Sequence, residues 1–404
     1  MTRSATTQPT VERAGGLVFL NPWDRIIGPN RYLVEMMRCQ PILAADSLVV
    51  CDRLHEGAEE FQALGCRTAV WPEIALVRPR FDHLGGLVSH HTVGLVRLLG
   101  RLRRQRPQVL VSNTENLWLG GLLGRLLGIP HVQIFHALTV FERLTRRPVG
   151  LRLYLRVLAS GAERFVAVSE HQASLLRRHG ISADRLTVVP NPIPEPELDS
   201  AVDLPSGPDG LPLPREWDDG RPVLLSAGRI CPLKGQDLLV EALAEVRRHH
   251  PNVICFLAGR RATPESPEDF AFQRRLDARI EALGLMDHVQ FLGEVEGLGP
   301  WLRRADLYIQ PSRSESFGRV VAEALLHRTP VVAFDVGAIS EVAGPGGWLA
   351  PAGDTQALGR LVCDHLADPQ AHSDAVEAGY QHVRTRYGAD TVAESFATLL
   401  RSLG

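Results

Sequence analysis

Lysine is almost absent from this sequence: 43 of its 44 basic residues are arginine, and Lys234 is the single lysine. We attribute the arginine excess to the codon usage of a GC-rich genome. A lysine placed at random among the basic positions would fall on any given one only about once in 44. The ammonium at position 234 therefore indicates a chemical requirement.

Other features are scarce, and each absence excludes a class of protein. The six cysteines include no C-x-x-C pair, which argues against a disulfide framework and a structural zinc site. The formal net charge of -2 excludes a strongly basic nucleic-acid binder, so we expect no nucleic-acid partner. No apolar run reaches the roughly 18 residues of a membrane-spanning helix, and the polar segment from Met1 to Glu12 lacks the pattern of a signal peptide. We therefore expect a cytoplasmic protein.

Short β-branched runs alternate with longer helical patterns along most of the chain, which is typical of βαβ units and parallel sheets. The predicted strands of the first half are GLVFL (16–20), SLVVC (47–51), QVLVSN (108–113), HVQIFH (131–136), RFVAVS (164–169) and LTVVPN (186–191). Those of the second half are PVLLSAG (222–228), VICFLAG (253–259), VQFLG (289–293), LYIQPS (307–312) and PVVAF (330–334). Each half therefore predicts its own doubly wound sheet.

The 404 residues are enough for two or three domains, and a proline-rich stretch marks the junction between them. Seven prolines lie in residues 192–220, which cannot sustain a helix or a central strand. We predict an α/β protein of two Rossmann-like, doubly wound domains facing a cleft. The predicted parts are an N-terminal domain (14–192), a linker (193–221), a C-terminal domain (222–387) and an amphipathic helix (388–404) that packs back on the N-terminal domain.

The first motif that carries chemistry is Gly228-Arg229-x4-Lys234-Gly235, directly after the first predicted strand of the second domain. A guanidinium and an ammonium five residues apart, on a loop closed by glycine, can point at one diphosphate. The alternative is two solvated surface cations near the start of a helix. That alternative leaves the single lysine unexplained.

The second motif is Pro311-Ser312-x-x-Glu315-Ser316-Phe317-Gly318-x4-Glu323, which follows the predicted strand LYIQ. Backbone N–H groups of residues 316–318 precede a helix and suit an anion or a sugar hydroxyl. At a helical rise of about 1.5 Å per residue, Glu315 and Glu323 would lie on the order of 12 Å apart. Retaining glycosidases need their carboxyls about 5 Å apart, so these two are better spaced to hold the ends of one extended ligand. The alternative is an ordinary helix glutamate and a carboxylate favoured by the helix dipole.

Together these residues resemble the retaining glycosyltransferases of the GT-B fold, specifically glycosyltransferase family 4 with its "glycosyl transferases group 1" domain. The likeness is close over Arg221 to Asp354, in SAGRICPLKG, FLAGR, FLGEV and ADLYIQPSRSESFGRVVAEAL. It is weaker in the first half, where the loop after the first strand reads IIGPN, with one glycine where the family often has two. The resemblance implies a glycosyltransferase that uses a nucleotide-diphosphate sugar and an unknown hydroxyl acceptor.

The resemblance also assigns roles to matching residues. Arg229 and Lys234 would neutralise the donor diphosphate, and Glu315 would hold the donor sugar. The residues implied to bind the rest of the donor are Gly28 at the diphosphate, Gly259 and Val295 along the base, Ser316, Phe317 and Gly318 through their backbone, and Glu323 at the ribose. His136, at the end of HVQIFH, would sit by the reacting sugar; the alternative for it is a polar residue without a catalytic role.

No D-x-D motif occurs, so we expect no metal, and no cofactor besides the nucleotide-sugar co-substrate. No G-x-G-x-x-G follows a predicted strand, which disfavours nicotinamide chemistry. Two alternatives stay open: a sugar-nucleotide 2-epimerase, for which a clear set of acid and base groups is missing, and a non-catalytic nucleotide-sugar-binding module.

Between His90 and Ser160, eleven arginines face only two acids. They are interleaved with Leu, Val and Tyr, as in helices that lie on anionic lipid, so we consider a peripheral site on the inner face of the membrane. Ten of the eleven form two groups: Arg97, Arg101, Arg103, Arg104 and Arg106, and then Arg143, Arg146, Arg147, Arg152 and Arg156. The alternative is solvated helix faces in an arginine-rich protein.

Overall fold

The computed structural model describes residues 16–22, 28–53, 56–76, 84–115, 117, 120–137, 155–156, 160–196, 220–295 and 297–403. These residues form two compact units. One unit contains the described residues up to Val168, Gln172–Pro192 and the residues from Val392 onwards. The other contains Ser169–His171 and Ile193–Thr391.

The N-terminal unit contains a parallel sheet of seven strands in the order β3-β2-β1-β4-β5-β6-β7. The strands are β1 (Leu17–Leu20), β2 (Ser47–Cys51), β3 (Arg67–Val70), β4 (Val109–Ser112), β5 (His131–Phe135), β6 (Arg164–Ala167) and β7 (Leu186–Val188). The helices between them are α1 (Gly28–Cys39), α2 (Pro41–Ala45), α3 (Glu56–Ala63), α4 (Glu73–Leu76), α5 (Leu84–Gln105), α6 (Gly120–Leu127) and α7 (Glu170–Arg178), with a 3-10 turn at Ala183–Arg185.

The C-terminal unit contains a parallel sheet of six strands in the order β10-β9-β8-β11-β12-β13. The strands are β8 (Val223–Ala227), β9 (Ile254–Ala258), β10 (Val289–Gly293), β11 (Leu307–Gln310), β12 (Val331–Phe334) and β13 (Gly347–Ala350). Its helices are α8 (Gln236–His249), α9 (Pro267–Ala282), α10 (Gly299–Arg304), α11 (Arg319–Leu326), α12 (Ile339–Ala343), α13 (Thr355–Ala367) and α14 (Ser373–Tyr387), with 3-10 turns at Pro232–Lys234, Gly344–Gly346 and Pro369–His372. The last helix, α15 (Ala389–Arg401), begins in this unit and belongs from Val392 onwards to the N-terminal unit.

The central strands are buried along their whole length, as expected for parallel sheets covered on both faces. Every residue of β1, β4, β5, β9, β11 and β12 is buried. This double burial is why their sequences are continuous apolar runs, and why the hydrophobic pattern located them.

The strand order reverses beside the first strand of each sheet. The loop after that first strand therefore lies next to the loop after the strand on the other side of the reversal. In the N-terminal unit, β1 lies between β2 and β4, and the backbone N–H of Asn113 donates to the carbonyl of Leu20 at 3.0 Å. In the C-terminal unit, β8 lies between β9 and β11. Ligands of doubly wound sheets bind at such switch points, outside the carboxyl ends of the strands. The residues after β1, β4, β8 and β11 therefore lie at the edge where sheets of this kind bind their ligands.

The predicted fold class of two Rossmann-like, doubly wound α/β domains is confirmed. The sequence pattern missed the outermost strands β3 and β13, because RTAV and GWLA are short and only partly buried. Four of the six cysteines are buried free thiols. Most of the predicted linker, residues 197–219, lies outside the described residues. The last helix, α15, buries Val392, Phe396 and Leu400 on one face.

Candidate active site

Lys234 is carried to the edge of the C-terminal sheet by a tight turn. It ends the 3-10 turn Pro232–Lys234, between β8 and α8. Gly235 follows with φ +68°, and a Cβ atom at this position would collide with the carbonyl oxygen of Pro311. Only glycine adopts this backbone conformation without strain while letting the two chain segments touch. The turn therefore packs against the segment after β11, where Glu315 lies.

Glu315 is held through one of its two carboxylate oxygens. Its Oε1 accepts hydrogen bonds from Lys234 Nζ at 2.6 Å, Ser312 Oγ at 2.7 Å and Gln310 Nε2 at 2.8 Å. The side chain of Glu315 is only 11% exposed and that of Lys234 is 29% exposed, so little water competes with their ion pair. Within the described part of the chain, no residue donates to Oε2. The geometry fixes the carboxylate and leaves one oxygen available to accept from a ligand hydroxyl.

Tyr308 supports this carboxylate through Gln310. The buried Tyr308 hydroxyl donates to Oε1 of Gln310, which orients the amide that donates to Glu315. Burial raises the pKa of Tyr308 well above its usual value, and the negative charges of Glu315 and Glu323 raise it further. Tyr308 therefore stays a hydrogen-bond donor, and both carboxylates of the motif act on the same phenol.

Glu323 lies one turn into helix α11, where its Oε1 accepts from Arg319 Nε at 2.7 Å. Gly318 caps the start of this helix with φ +92°. The Phe317 side chain is buried and packs edge-on against Tyr387, with ring centroids 5.2 Å apart. Phe317 can therefore offer a ligand only its backbone, while the neighbouring Ser316 is half-buried.

Arg229 does not join the pair formed by Lys234 and Glu315. Its guanidinium is 60% exposed and lies 3.6 Å from a carboxylate oxygen of Asp269. Gly259 follows β9, and a Cβ atom there would collide with the carbonyl oxygen of Gly228. The absence of a side chain at Gly259 therefore lets the loop that carries Arg229 pack against it. Val295 is half-buried just after the edge strand β10.

In the N-terminal unit, His136 follows β5, and its Nε2 lies 2.8 Å from Oδ1 of Asn113. Its backbone N–H donates to Glu115 Oε2 at 3.2 Å. Burial lowers the pKa of His136 from 6.5 to about 3, so the imidazole is neutral at physiological pH. Gly28 is the first residue of helix α1, and a Cβ atom there would meet nothing within 4 Å.

Glu115 is a buried carboxyl group beside His136. Burial raises its pKa from 4.5 to about 7, against the opposing effect of hydrogen bonds from backbone N–H groups that include those of His136 and Ala137. The Glu115 carboxyl therefore gains or loses its proton near physiological pH, while it accepts a hydrogen bond from the backbone N–H of His136.

Sequence reasoning missed several residues of both sites: Tyr32, Asn113, Glu115, Asp269, Gln310 and Arg319. Gln310 and Asn113 carried a signal, since each is a polar residue at the end of an otherwise apolar run. Asp269 and Arg319 carried none, because their partners are known only from the folded chain.

Within the described residues, no three His, Cys, Asp or Glu side chains form a group that could hold a metal ion. The helices described here include none with the length and apolar character needed to cross a membrane.

Comparison with known families covers most of the chain. The model of the glycosyl transferases group 1 family matches residues 214–382, and that of the glycosyl transferase 4-like domain matches residues 28–192. The chain is 31% identical over 350 residues to the lipopolysaccharide core biosynthesis mannosyltransferase LpcC of Rhizobium leguminosarum bv. viciae, covering 85% of this chain and 91% of that protein. It is 32% identical over 321 residues to the D-inositol 3-phosphate glycosyltransferase of Nocardia farcinica, covering 74% of this chain and 68% of that protein.

Solved structures agree in fold. The crystal structure of Anabaena HepE in complex with UDP and glucose superposes with a TM-score of 0.77 at 21% identity, covering 96% of this chain and 99% of that chain. Sucrose-phosphate synthase from Thermosynechococcus elongatus gives a TM-score of 0.76 at 21% identity, with the same coverage. The chain has the GT-B fold, belongs to the glycosyl transferases group 1 family and is a glycosyltransferase.

Proposed function

We propose that the protein is a retaining, metal-independent glycosyltransferase of family 4 that moves a sugar from a nucleotide-diphosphate sugar to a hydroxyl acceptor. The observation that carries the proposal is the contact of 2.6 Å between Lys234 Nζ and Glu315 Oε1. An ammonium suits a phosphate oxygen and a carboxylate suits a sugar hydroxyl. In a nucleotide sugar these two groups flank the bond that breaks, so one ion pair can contact both sides of it.

In this proposal the C-terminal unit binds the donor and the N-terminal unit binds the acceptor. Lys234 and Arg229 bind the diphosphate, and Glu315 accepts from sugar hydroxyls through Oε2. The other donor contacts are the backbone of Ser316, Phe317 and Gly318, Glu323 at the ribose, Gly259 and Val295 along the base, and Gly28 and His136 from the N-terminal unit.

The reaction breaks the bond between the anomeric carbon and the phosphate oxygen, and the electron pair leaves with the diphosphate. The acceptor oxygen bonds to the anomeric carbon on the same face, and its proton passes to the departing phosphate oxygen. The anomeric configuration is therefore retained. The ammonium of Lys234 stabilises the negative charge that develops on the leaving group, which is the part a divalent ion plays in metal-dependent enzymes.

The related proteins support a nucleotide-sugar donor. HepE was crystallised with UDP-glucose, and the two related sequences are a mannosyltransferase and a D-inositol 3-phosphate glycosyltransferase. These names concern those proteins, and they define the donors and acceptors to test first.

The experiment is a donor panel that includes UDP-glucose and GDP-mannose, assayed for release of nucleoside diphosphate with and without a chelator. We expect slow hydrolysis of one donor, at a rate that the chelator does not change, and acceleration by an acceptor hydroxyl. NMR of the glycoside product should show the anomeric configuration of the donor. Loss of activity with the chelator refutes metal independence. Inverted product refutes retention, and an altered sugar still attached to its nucleotide indicates an epimerase.

We also propose that the protein works in the cytoplasm, peripherally on the inner face of the membrane. Helix α5 supports this, because Val93 and Val96 are 46% and 62% exposed and lie on the same helix face as the exposed Arg97, Arg103 and Arg104. No acidic residue occurs in this helix. Exposed apolar side chains beside arginines suit the interface of an anionic bilayer.

Arg101 belongs to the fold rather than to this face. Its guanidinium lies 3.3 Å from Glu73 and 5.6 Å from the centroid of the Trp71 ring. Four further arginines of the predicted lipid-facing segment, Arg143, Arg146, Arg147 and Arg152, lie outside the described residues.

Vesicle flotation tests the membrane proposal, using phosphatidylglycerol-containing and purely zwitterionic vesicles at low and high salt. We expect binding to anionic vesicles that high salt weakens, and loss of binding in the double variant Arg103→Ser and Arg104→Ser. The matched control is Arg274→Ser with Arg275→Ser, two exposed neighbouring arginines on helix α9. Equal binding by both double variants, or none by the unchanged protein, refutes the proposal.

A further inference from the structure

Three buried asparagines form a hydrogen-bonded chain that ends on His136. Asn21 Nδ2 donates to Asn30 Oδ1 at 2.8 Å, and Asn113 Nδ2 donates to Asn21 Oδ1 at 3.0 Å. Asn113 Oδ1 lies 2.8 Å from His136 Nε2. The three asparagines lie after β1, at the start of helix α1 and after β4, so the chain follows the switch point of the N-terminal sheet.

The chain determines which nitrogen of His136 carries the proton. Asn113 Nδ2 also donates to the carbonyl oxygen of Pro29 at 3.0 Å, and a carbonyl oxygen can only accept. This contact orients the Asn113 amide, so that its oxygen faces His136. The imidazole is neutral and has one N–H, and Asn113 Oδ1 can only accept it. The proton therefore lies on Nε2, and Nδ1 keeps its lone pair.

Two further contacts fix the position of the imidazole. The Tyr32 ring packs edge-on against it, with centroids 4.9 Å apart, and Tyr32 is itself placed by Phe396 of helix α15, at 5.9 Å. The backbone N–H of His136 is held by Glu115. Among the residues that the structure describes, none donates to Nδ1. The ring is thus oriented by the protein, with one nitrogen bound and the other able to accept.

We propose that Asn113, Asn21 and Asn30 are positioning residues that hold His136 as the Nε2–H tautomer, so that Nδ1 presents a hydrogen-bond acceptor to the ligand. An acceptor attracts a hydroxyl group and repels a phosphate oxygen, which is itself an acceptor. The proposal rests on the proposed function for the identity of the ligand: the group that meets His136 is a hydroxyl of the sugar, and the diphosphate is bound elsewhere.

Long-range proton–nitrogen NMR on protein labelled with ¹⁵N-histidine tests the tautomer directly. The signals of His136 are identified as those lost in a His136→Asn variant, among the 15 histidines of the chain. In the unchanged protein at neutral pH, we expect Nε2 to have the shift of a protonated nitrogen and Nδ1 that of an unprotonated one. A proton on Nδ1, or on both nitrogens, overturns the proposal.

Asn113→Leu has nearly the same volume and removes the acceptor. We expect its His136 to show a mixture of tautomers, and Asn252→Leu, at an exposed asparagine, to leave the tautomer unchanged. If Asn113→Leu does not fold, Asn113→Ser replaces it, because the serine side chain is too short to reach His136 Nε2. The same mixture of tautomers is expected. A His136 that stays purely Nε2–H in the folded variant overturns the proposal.

Addition of UDP-glucose or GDP-mannose, whichever the panel shows to be cleaved, should shift Nδ1 of His136 in the direction of an accepted hydrogen bond. Nucleoside diphosphate alone should not. Asn113→Leu should lower turnover by roughly tenfold or more, since a displaced contact group costs rate out of proportion to its displacement. The correct tautomer without any cleaved donor would refute the proposed function and leave the positioning role standing. Cleavage of a donor by a protein whose His136 has its proton on Nδ1 would refute the positioning role and leave the proposed function standing.

Discussion

Replacement of Lys234 by methionine isolates the ammonium that the structure places on Glu315. Methionine keeps an unbranched apolar stem and removes the charge, which leaves Oε1 of Glu315 with two uncharged donors, Ser312 and Gln310. A hydrogen bond to a charged group contributes about 1.5–3 kcal/mol to stability, and partial exposure of Lys234 favours the lower figure. A loss of about 1.5 kcal/mol lowers Tm by roughly 3–6 °C for a unit of this size.

The effect on catalysis should be much larger than the effect on folding. Removal of one preorganised donor to a developing negative charge costs on the order of 10²–10³ in turnover. Lys234→Arg restores a charge but replaces a compact ammonium by a longer planar fork, so we expect it to recover stability and to remain at least about tenfold slower. Release of nucleoside diphosphate at saturating donor measures turnover, and thermal unfolding measures stability.

Arg248→Met is the matched control, because Arg248 lies at the far end of helix α8 in an exposed ion pair with Glu245. It should lose neither turnover nor more than about 0.5 kcal/mol of stability. If Lys234→Met turns over within about threefold of the unchanged protein, less than 1 kcal/mol of barrier depends on the ammonium, and the role in leaving-group stabilisation is wrong.

Three further predictions concern single groups around the two sites. Burial raises the pKa of Glu115 to about 7, so between about pH 4.5 and 7 the folded state holds a proton that the unfolded state has lost, and stability should fall as the pH rises through this range. Measurements of Tm against pH should show this fall in the unchanged protein and not in Glu115→Gln. Ser312→Ala removes a buried donor to Glu315 and should cost about 1 kcal/mol in urea unfolding, together with a several-fold higher KM for the donor; an unchanged KM would show that Ser312 does not set the carboxylate. Gly235→Ala places a Cβ against the Pro311 carbonyl at positive φ and should cost about 1–3 kcal/mol in urea unfolding, while Gly65→Ala, also at positive φ but in open space, separates the cost of strain from that of the collision.

Much of the fold was predictable because parallel strands buried on both faces leave continuous apolar runs in the sequence. The ends of these runs also carry Lys234 and Glu315, the two residues of the candidate site that the structure brings into contact. Lys234 and Glu315 each follow such a run, and switch-point geometry explains why residues 81 positions apart come into contact. The single lysine was informative because arginine had replaced every other ammonium.

The missed strands β3 and β13 show where the pattern fails. Both are partly buried edge strands of only four residues; RTAV begins with two polar residues, and GWLA is bounded by glycine and proline, which predict a turn. Their place was determined by pairing with β2 and β12, which no local window of sequence contains.

The sequence alone was sufficient for most strands of the two parallel sheets, for the two motifs of the C-terminal half and for the family resemblance, since each depends on local pattern or on motif spacing. Tertiary packing was needed to select the ion-pair partners. Lys234 pairs with Glu315 and Arg229 with Asp269, although both cations come from one loop. The packing also brought Asn21 and Asn113 together across 92 positions, and it placed the Asn113 amide beside His136, on which the proposed tautomer depends. A hydrogen bond depends on distance and orientation in space, and those exist only once the chain has folded.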